Sequence, residues 1–147
     1  MFIKMKIALA SDHGGYQLKC QIADYLKHLG HEICDYGTHS VDRCDYPDYA
    51  RPAAMAVAQG QCERGIIVCT TGIGVSMVAN KVKGVRCALC VNADMAKMTR
   101  AHNNANMIAL GQKYVDLDTA KQIVDNFLNT AFEGGVHADR VSKIEVD

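Results

Sequence analysis

The sequence predicts an α/β fold, a three-layer αβα Rossmann-like arrangement around a five-stranded parallel sheet, on three observations. Apolar runs of strand length alternate with stretches whose apolar residues recur at helical spacing. The runs are apolar throughout and do not alternate with polar residues, which marks strands covered on both faces. Turn-forming Gly, Asn and Asp gather where a run gives way to a helical stretch. Strict βα alternation requires parallel strands with helices returning over both faces, and ligands then bind outside the carboxyl ends of the strands.

Lys6 to Ser11 is the first strand, and Asp12-His13-Gly14-Gly15 turns the chain into a helix. Leu18, Ile22, Tyr25, Leu26 and Leu29 form its apolar stripe, and Gly30 ends it in the left-handed position that favours glycine. Glu32 to Tyr36 is a second strand, and Gly37 to Asp45 a polar loop. Tyr46-Pro47 opens a helix to about Gln59, in which Pro52 is expected to kink or delay the first turns. The central strand is Gly65 to Cys69, followed by a helix from about Gly74 to Val82. Val85 to Val91 reads as the fourth strand. Asn92 caps a helix to His102, which Asn103-Asn104 stops because asparagine tolerates a left-handed backbone. Asn106 to Leu110 is the fifth strand, and Asp118 to Thr130 the last long helix, with Ile123, Val124, Phe127 and Leu128 on its apolar face. From Phe132 to Asp147 no element is expected.

At 147 residues the chain reads as one domain, 1–147, large enough for a three-layer core. Lys plus Arg equal Asp plus Glu at 16 each, with no block of like charge, which argues against nucleic acid or an anionic membrane as partner. The longest apolar run, Ala53 to Ala58, is far too short to span a bilayer, and Met1 to Lys6 has no apolar secretion segment. The 7 cysteines, an odd and scattered set, favour reduced thiols and a cytoplasmic location. Cys87-Ala88-Leu89-Cys90 matches C-x-x-C, but residues three apart on a strand face opposite sides, so shared metal or disulfide chemistry is not expected there.

Arg64 to Ser76 carries the densest chemistry: an apolar strand ends on Cys69, passes Thr70, Thr71, Gly72, Ile73 and Gly74, and enters a helix. Glycines admit a ligand close to the backbone, and helix-start N–H groups attract anions. A thiol beside such amides is expected to have a lowered pKa. The loop fits none of three familiar templates. A dinucleotide fingerprint lacks its third glycine and follows the third strand; a Walker loop lacks its lysine; and Val75 stands where a thiol phosphatase carries arginine. Alone, Cys69 reads equally as a buried core thiol, Asp12 as a helix cap, His102 as a histidine favoured by a helix C-terminus, and Arg140 as a surface arginine.

In combination, Ser11-Asp12-His13-Gly14-Gly15, Asp45-Tyr46-Pro47, Cys69-Thr70-Thr71-Gly72-Ile73-Gly74, Ala79-Asn80-Lys81, His102-Asn103-Asn104-Ala105-Asn106 and the Glu133-to-Arg140 tail occur in order over nearly the whole chain. This set closely resembles ribose-5-phosphate isomerase type B, of the family that also holds galactose-6-phosphate and allose-6-phosphate isomerases. The resemblance implies a sugar-phosphate aldose–ketose isomerase without metal or cofactor, a homodimer or dimer of dimers with sites across the subunit interface. Carried over by position, Asp12 and His102 help open the furanose ring and Cys69 moves the proton between C2 and C1. Thr71 and the amides of Gly72, Ile73, Gly74 and Val75 hold the enediolate oxygen. Asn103 positions sugar hydroxyls, His13 and Arg140 bind phosphate, and Tyr46, Lys113 and His137 complete the substrate site. Three positions depart from the family pattern: Thr70 for glycine, and Val136 and Lys113 for arginines of the phosphate grip. Another sugar phosphate (a hexose 6-phosphate or tetrose phosphate), or a binding module without turnover, therefore stands beside the ribose reading.

Overall fold

The computed structural model describes residues 3–146; Met1 and Phe2, of the Met1-to-Lys6 segment read above, and Asp147, the last residue of the tail, lie outside them. Five strands form one parallel sheet: β1 (Lys6–Ser11), β2 (Glu32–Asp35), β3 (Arg64–Cys69), β4 (Cys87–Leu89) and β5 (Met107–Gly111), in the order β2-β1-β3-β5-β4. The helices are α1 (Tyr16–His28), α2 (Pro47–Ala58), α3 (Ile73–Asn80), α4 (Ala93–Asn103), α5 (Leu117–Asn129) and α6 (Val136–Val141), with a single 3-10 turn at His13–Gly15.

The alternation of side chains along each strand builds two cores. Ile7, Leu9, Ile66, Val68, Ile108 and Leu110 face α1, α4 and α5, packing on Leu18, Ile22, Leu26, Ala96, Ile123 and Phe127. Ala8, Ala10, Ile67, Cys69, Met107 and Ala109 face α2 and α3. Alanines on both sides of that second layer, Ala8 and Ala10 below and Ala50, Ala53 and Ala54 above, let α2 lie close to the sheet. Cys87 packs in the α2/α3 layer and Cys90 in the other, so the C-x-x-C pair does straddle the sheet. All 7 cysteines are free.

Most boundaries lie within two residues of the sequence reading, with three differences. Pro52 neither breaks nor delays α2, which starts at Pro47 and runs on to Ala58 with Pro52 inside it, although a proline there has no N–H to give the Asp48 carbonyl. β4 is three residues long where seven were expected. The Asn80 side chain takes both the N–H and the C=O of Cys87, and Asn106 takes the N–H of Arg86, so side chains stand in for ladder partners at its start. The tail holds a helix where none was expected: α6 starts after Gly134 and Gly135, both at positive φ, and packs against α4. None of the described helices is long and apolar enough to cross a membrane.

The order of strands reverses between β1 and β3. That switch point opens a crevice at the carboxyl edge of the sheet.

Candidate active site

Pairing of Ser11 with Val68 sets the end of β1 beside the end of β3, so Asp12 and Cys69 leave the sheet as neighbours. Asp12 is 7 % exposed and its Oδ1 accepts the Gly15 N–H at 3.1 Å, so it does cap the 3-10 turn. Cys69 is buried at 5 % exposure, and the Gly72 N–H donates to its Sγ at 3.1 Å. Gly72 has φ of +78°, and a side chain there would strike Leu89 and the backbone of Leu110, so only glycine lets the loop fold back onto the thiol.

The loop amides divide their work. Gly72 N–H serves Cys69, and Ile73 N–H donates to Thr71 Oγ1 at 3.2 Å, leaving the Thr71 hydroxyl hydrogen free to donate. Gly74 and Val75 occupy the next positions of the first turn of α3, where helix geometry supplies no acceptor. The four amides expected to hold the oxyanion are not equivalent: those of Gly72 and Ile73 already have local acceptors, and those of Gly74 and Val75 have none among the described residues. Val75 contributes its backbone only, since its side chain is core.

Tyr46 lies over Gly74, whose added Cβ would meet the ring at 2.8 Å. The Cys44 N–H donates to His13 Nδ1 at 3.2 Å, so a neutral His13 ring carries its hydrogen on Nε2, a donor for an anion. Asp12, His13 and Tyr46 share a cleft of about 590 Å³ with Arg43 and Cys44. Arg43 and Cys44 were not singled out in the sequence, because the loop from Gly37 to Asp45 carries no periodicity to orient them. Lys113 joins this edge through its backbone, its N–H donating to Thr70 O at 3.0 Å.

His102, Asn103, His137 and Arg140 lie elsewhere. They line a separate cleft of about 380 Å³ with Val141 and Ile144. The reason is topological: α4 starts beyond the carboxyl end of β4 and ends just before β5 begins, so its last turn sits at the amino edge of the sheet. Its 11 residues span roughly 16 Å at 1.5 Å per residue. In one chain, then, Cys69 and His102 stand at opposite edges. The His102 and His137 rings stack at 4.1 Å with 9° between planes, and Glu133 faces both, 3.4 Å from His102 Nε2 and 3.9 Å from His137 Nε2.

These three side chains could each offer a donor atom to a metal ion. Imidazole nitrogens bind metals in the ring plane, however, and two nearly parallel stacked rings cannot both aim a lone pair at one ion. The stacked arrangement does not fit a single metal ion.

With this geometry in place, the comparisons with known proteins decide the family. The Ribose/Galactose Isomerase family model matches residues 7–144. The chain belongs to that family. It is 45 % identical over 139 residues to ribose-5-phosphate isomerase B of Escherichia coli (strain K12), covering 95 % of this chain and 93 % of that one. The solved structure of Clostridium thermocellum ribose-5-phosphate isomerase B matches with a TM-score of 0.94 at 54 % identity, over 95 % of each chain. Ribose-5-phosphate isomerase B from Mycoplasma genitalium, solved with bound ribulose-5-phosphate, matches with a TM-score of 0.91 at 42 % identity, over 95 % of this chain and 93 % of that one.

Proposed function

We propose that this isomerase interconverts ribose 5-phosphate and ribulose 5-phosphate in the pentose phosphate pathway, at a site that two copies of the chain complete together, without metal or cofactor. The observation that carries the reading is the Cys69 loop: a buried thiol that accepts the Gly72 N–H, free amides at the start of α3, and the Asp12 carboxyl group at the end of the neighbouring strand. Similarity to a chain solved with bound ribulose-5-phosphate supports the substrate class.

Ring opening moves one proton onto the ring oxygen O4 and one off the anomeric O1, as C1–O4 breaks and C1=O1 forms. Asp12 and His102 perform this exchange. The Cys69 thiolate then removes the C2 proton, whose electrons form C1=C2 and leave negative charge on O1. The Thr71 hydroxyl and the Gly74 and Val75 amides stabilise that oxygen. The thiol returns its proton to C1 while the O2 proton passes to O1, which gives the ketose with the thiolate restored. Such an α-proton is weakly acidic, so base and oxyanion donors must act together. His13 and Arg140 hold phosphate, Asn103 and His137 the sugar, and Tyr46 walls the site.

Two edges of one sheet meet only if a second copy turns its amino edge toward the first copy's carboxyl edge. A two-fold axis does this twice, giving a homodimer with two equal sites. Apolar side chains flanking the loop fit such an interface: Ile73 is 45 % exposed and Met77 62 %, and Val91 and Met95, where β4 gives way to α4, are exposed at the same carboxyl edge. Seven free thiols suit a reducing cytoplasm. Val136 and Lys113, in place of two arginines, favour a second reading within the same class, turnover of a different sugar phosphate: valine loses the charge and lysine keeps it without the planar fork.

Two experiments test this. Solvent-deuterium exchange at the substrate α-carbon separates an enzyme from a binding module. Mixing Cys69→Ala with His102→Ala chains by joint refolding tests the shared site: each is inactive alone, and a hybrid dimer regains one intact site. Activity of the mixture no higher than that of either variant would reject the shared site.

A further inference from the structure

The mechanism above leaves without a task a charged group that faces two histidines of the amino-edge cleft. Glu133 is connected to α4 by its N–H, which donates to Ala101 O at 3.0 Å, next to His102 in the chain. The following two residues, Gly134 and Gly135, have φ of +72° and +57°. Nothing lies within 4 Å of a Cβ built on either, so glycine is needed there for backbone conformation and not for space. Their effect is to fold the chain back at once, so that α6 begins over α4 and His137 returns one turn after Glu133. Each carboxylate oxygen then faces one imidazole: Oε2 faces His102 Nε2 at 3.4 Å and Oε1 faces His137 Nε2 at 3.9 Å. The stacked rings hold each other parallel, and no described protein group bonds His102 Nδ1.

We propose that Glu133 is a positioning residue for ring opening, which holds Nε2–H of His102 toward its carboxylate and so presents Nδ1 as the nitrogen that exchanges protons with the sugar. The proposal rests on the ring-opening reading of His102. An imidazole that moves a proton must offer a defined nitrogen, and its other nitrogen is fixed by the hydrogen-bond partner it faces. A carboxylate is a pure acceptor, so it selects the N–H form at the nitrogen it faces. His137, stacked on it at 4.1 Å, keeps the His102 ring from turning over. Glu133 touches neither edge of the Cys69 loop, so proton transfer between C2 and C1 is outside its reach.

Glu133→Gln keeps the shape and loses the acceptor-only character; Glu133→Asp keeps the charge and shortens the reach. The substrates are ribose 5-phosphate, which closes to a furanose, and erythrose 4-phosphate, which cannot because its O4 carries the phosphate. Glu133→Gln is expected to lower kcat/KM for ribose 5-phosphate by about tenfold to hundredfold, by analogy with the loss when the carboxylate that orients a metal-bound histidine is removed. The loss on erythrose 4-phosphate should be much smaller, and Glu133→Asp should recover part of the difference. Independently of turnover, long-range ¹⁵N–¹H correlation of the His102 ring should show the Nε2–H tautomer in the parent protein and a mixture in Glu133→Gln. An unchanged His102 tautomer together with equal losses on both substrates overturns the proposal. His102→Ala, measured beside it, tests the underlying reading: equal losses there reject ring opening by His102, while the tautomer measurement still decides what Glu133 does to the ring.

Discussion

The carboxyl-edge cleft and the amino-edge cleft each depend on one buried cation, and the two cations are satisfied in different ways. Lys19, 1 % exposed on α1, reaches both oxygens of Asp35 at 2.8 and 2.9 Å and the carbonyl of Thr38, pinning the loop that leads to Cys44 and Tyr46. Arg100, 5 % exposed on α4, has neutral acceptors only: Thr130 O, Asn104 Oδ1 and Ala105 O. It therefore ties the end of α4 to the segment that brings in Glu133. Burial, with Arg64 and Arg86 adding repulsion, pushes Arg100 down to about 10. The carboxyl edge is thus a rigid crevice built into the sheet, with its thiol and carboxylic acid nearly out of solvent. The amino edge is a helix end and a short returning tail with exposed groups, completed by what docks on it. On the proposed function, proton transfer between C2 and C1 falls to the first, and the second adds ring opening by His102 and a phosphate contact from Arg140.

The sharpest way to break this division is at Cys69. Cys69→Ala should lower turnover by ~10²–10⁴, the range for a lost general base, with substrate binding near normal. Cys69→Ser should recover little, because a hydroxyl has no comparable anion near neutral pH. A Cys69→Ala enzyme with parental kcat would move the base elsewhere. At the other edge the loss should fall on binding: Arg140→Ala should raise KM by an amount on the order of 2–5 kcal/mol where phosphate and guanidinium are buried together. Val136, 55 % exposed at the start of α6, is the companion probe. Val136→Arg should lower KM for ribose 5-phosphate or leave it unchanged; a loss on that substrate would favour a site shaped for another sugar. An unaltered KM in Arg140→Ala for every sugar phosphate would detach the tail from the phosphate.

How much of this was legible beforehand differs between the same two edges. Apolar periodicity located every strand and every long helix, because each buries a stripe or a face. The rule that ligands sit at carboxyl ends of parallel strands gathered Asp12, His13 and Cys69 from residues far apart in sequence. It has nothing to say about His102, whose place follows from where α4 ends, and that depends on the position of β4 at the edge of the sheet. α6 escaped notice because six half-exposed or exposed residues show no apolar stripe. Glu133 was visible only as one letter of a motif. Its pairing with two histidines is made by the Gly134-Gly135 turn and by stacking, and neither leaves a periodic trace.

The smallest expected effects come from the two buried cations, and they bear directly on how each edge is held. Lys19→Met removes the partner of Thr38 O and leaves Asp35 uncompensated, but the Asp35 side chain is 33 % exposed, so water can take over much of the charge. The cost should be about 1–3 kcal/mol, that of one buried acceptor and a weakened ion pair. Arg100→Met leaves three neutral acceptors bare but no charge, and also removes the cost of burying a cation without a counter-ion, so its net destabilisation should be no larger. Stability alone does not separate the two substitutions. Function should. Lys19→Met loosens the loop beside His13 and Tyr46, so it should disturb the carboxyl-edge cleft and leave the His102–His137 stack intact. Arg100→Met should loosen that stack, visible as altered His102 and His137 ring resonances, while the reactivity of Cys69 toward a small alkylating reagent stays at the parental rate. If Arg100→Met changes the Cys69 alkylation rate and Lys19→Met shifts the histidine resonances, the two edges are mechanically coupled within one chain and the division drawn between them fails.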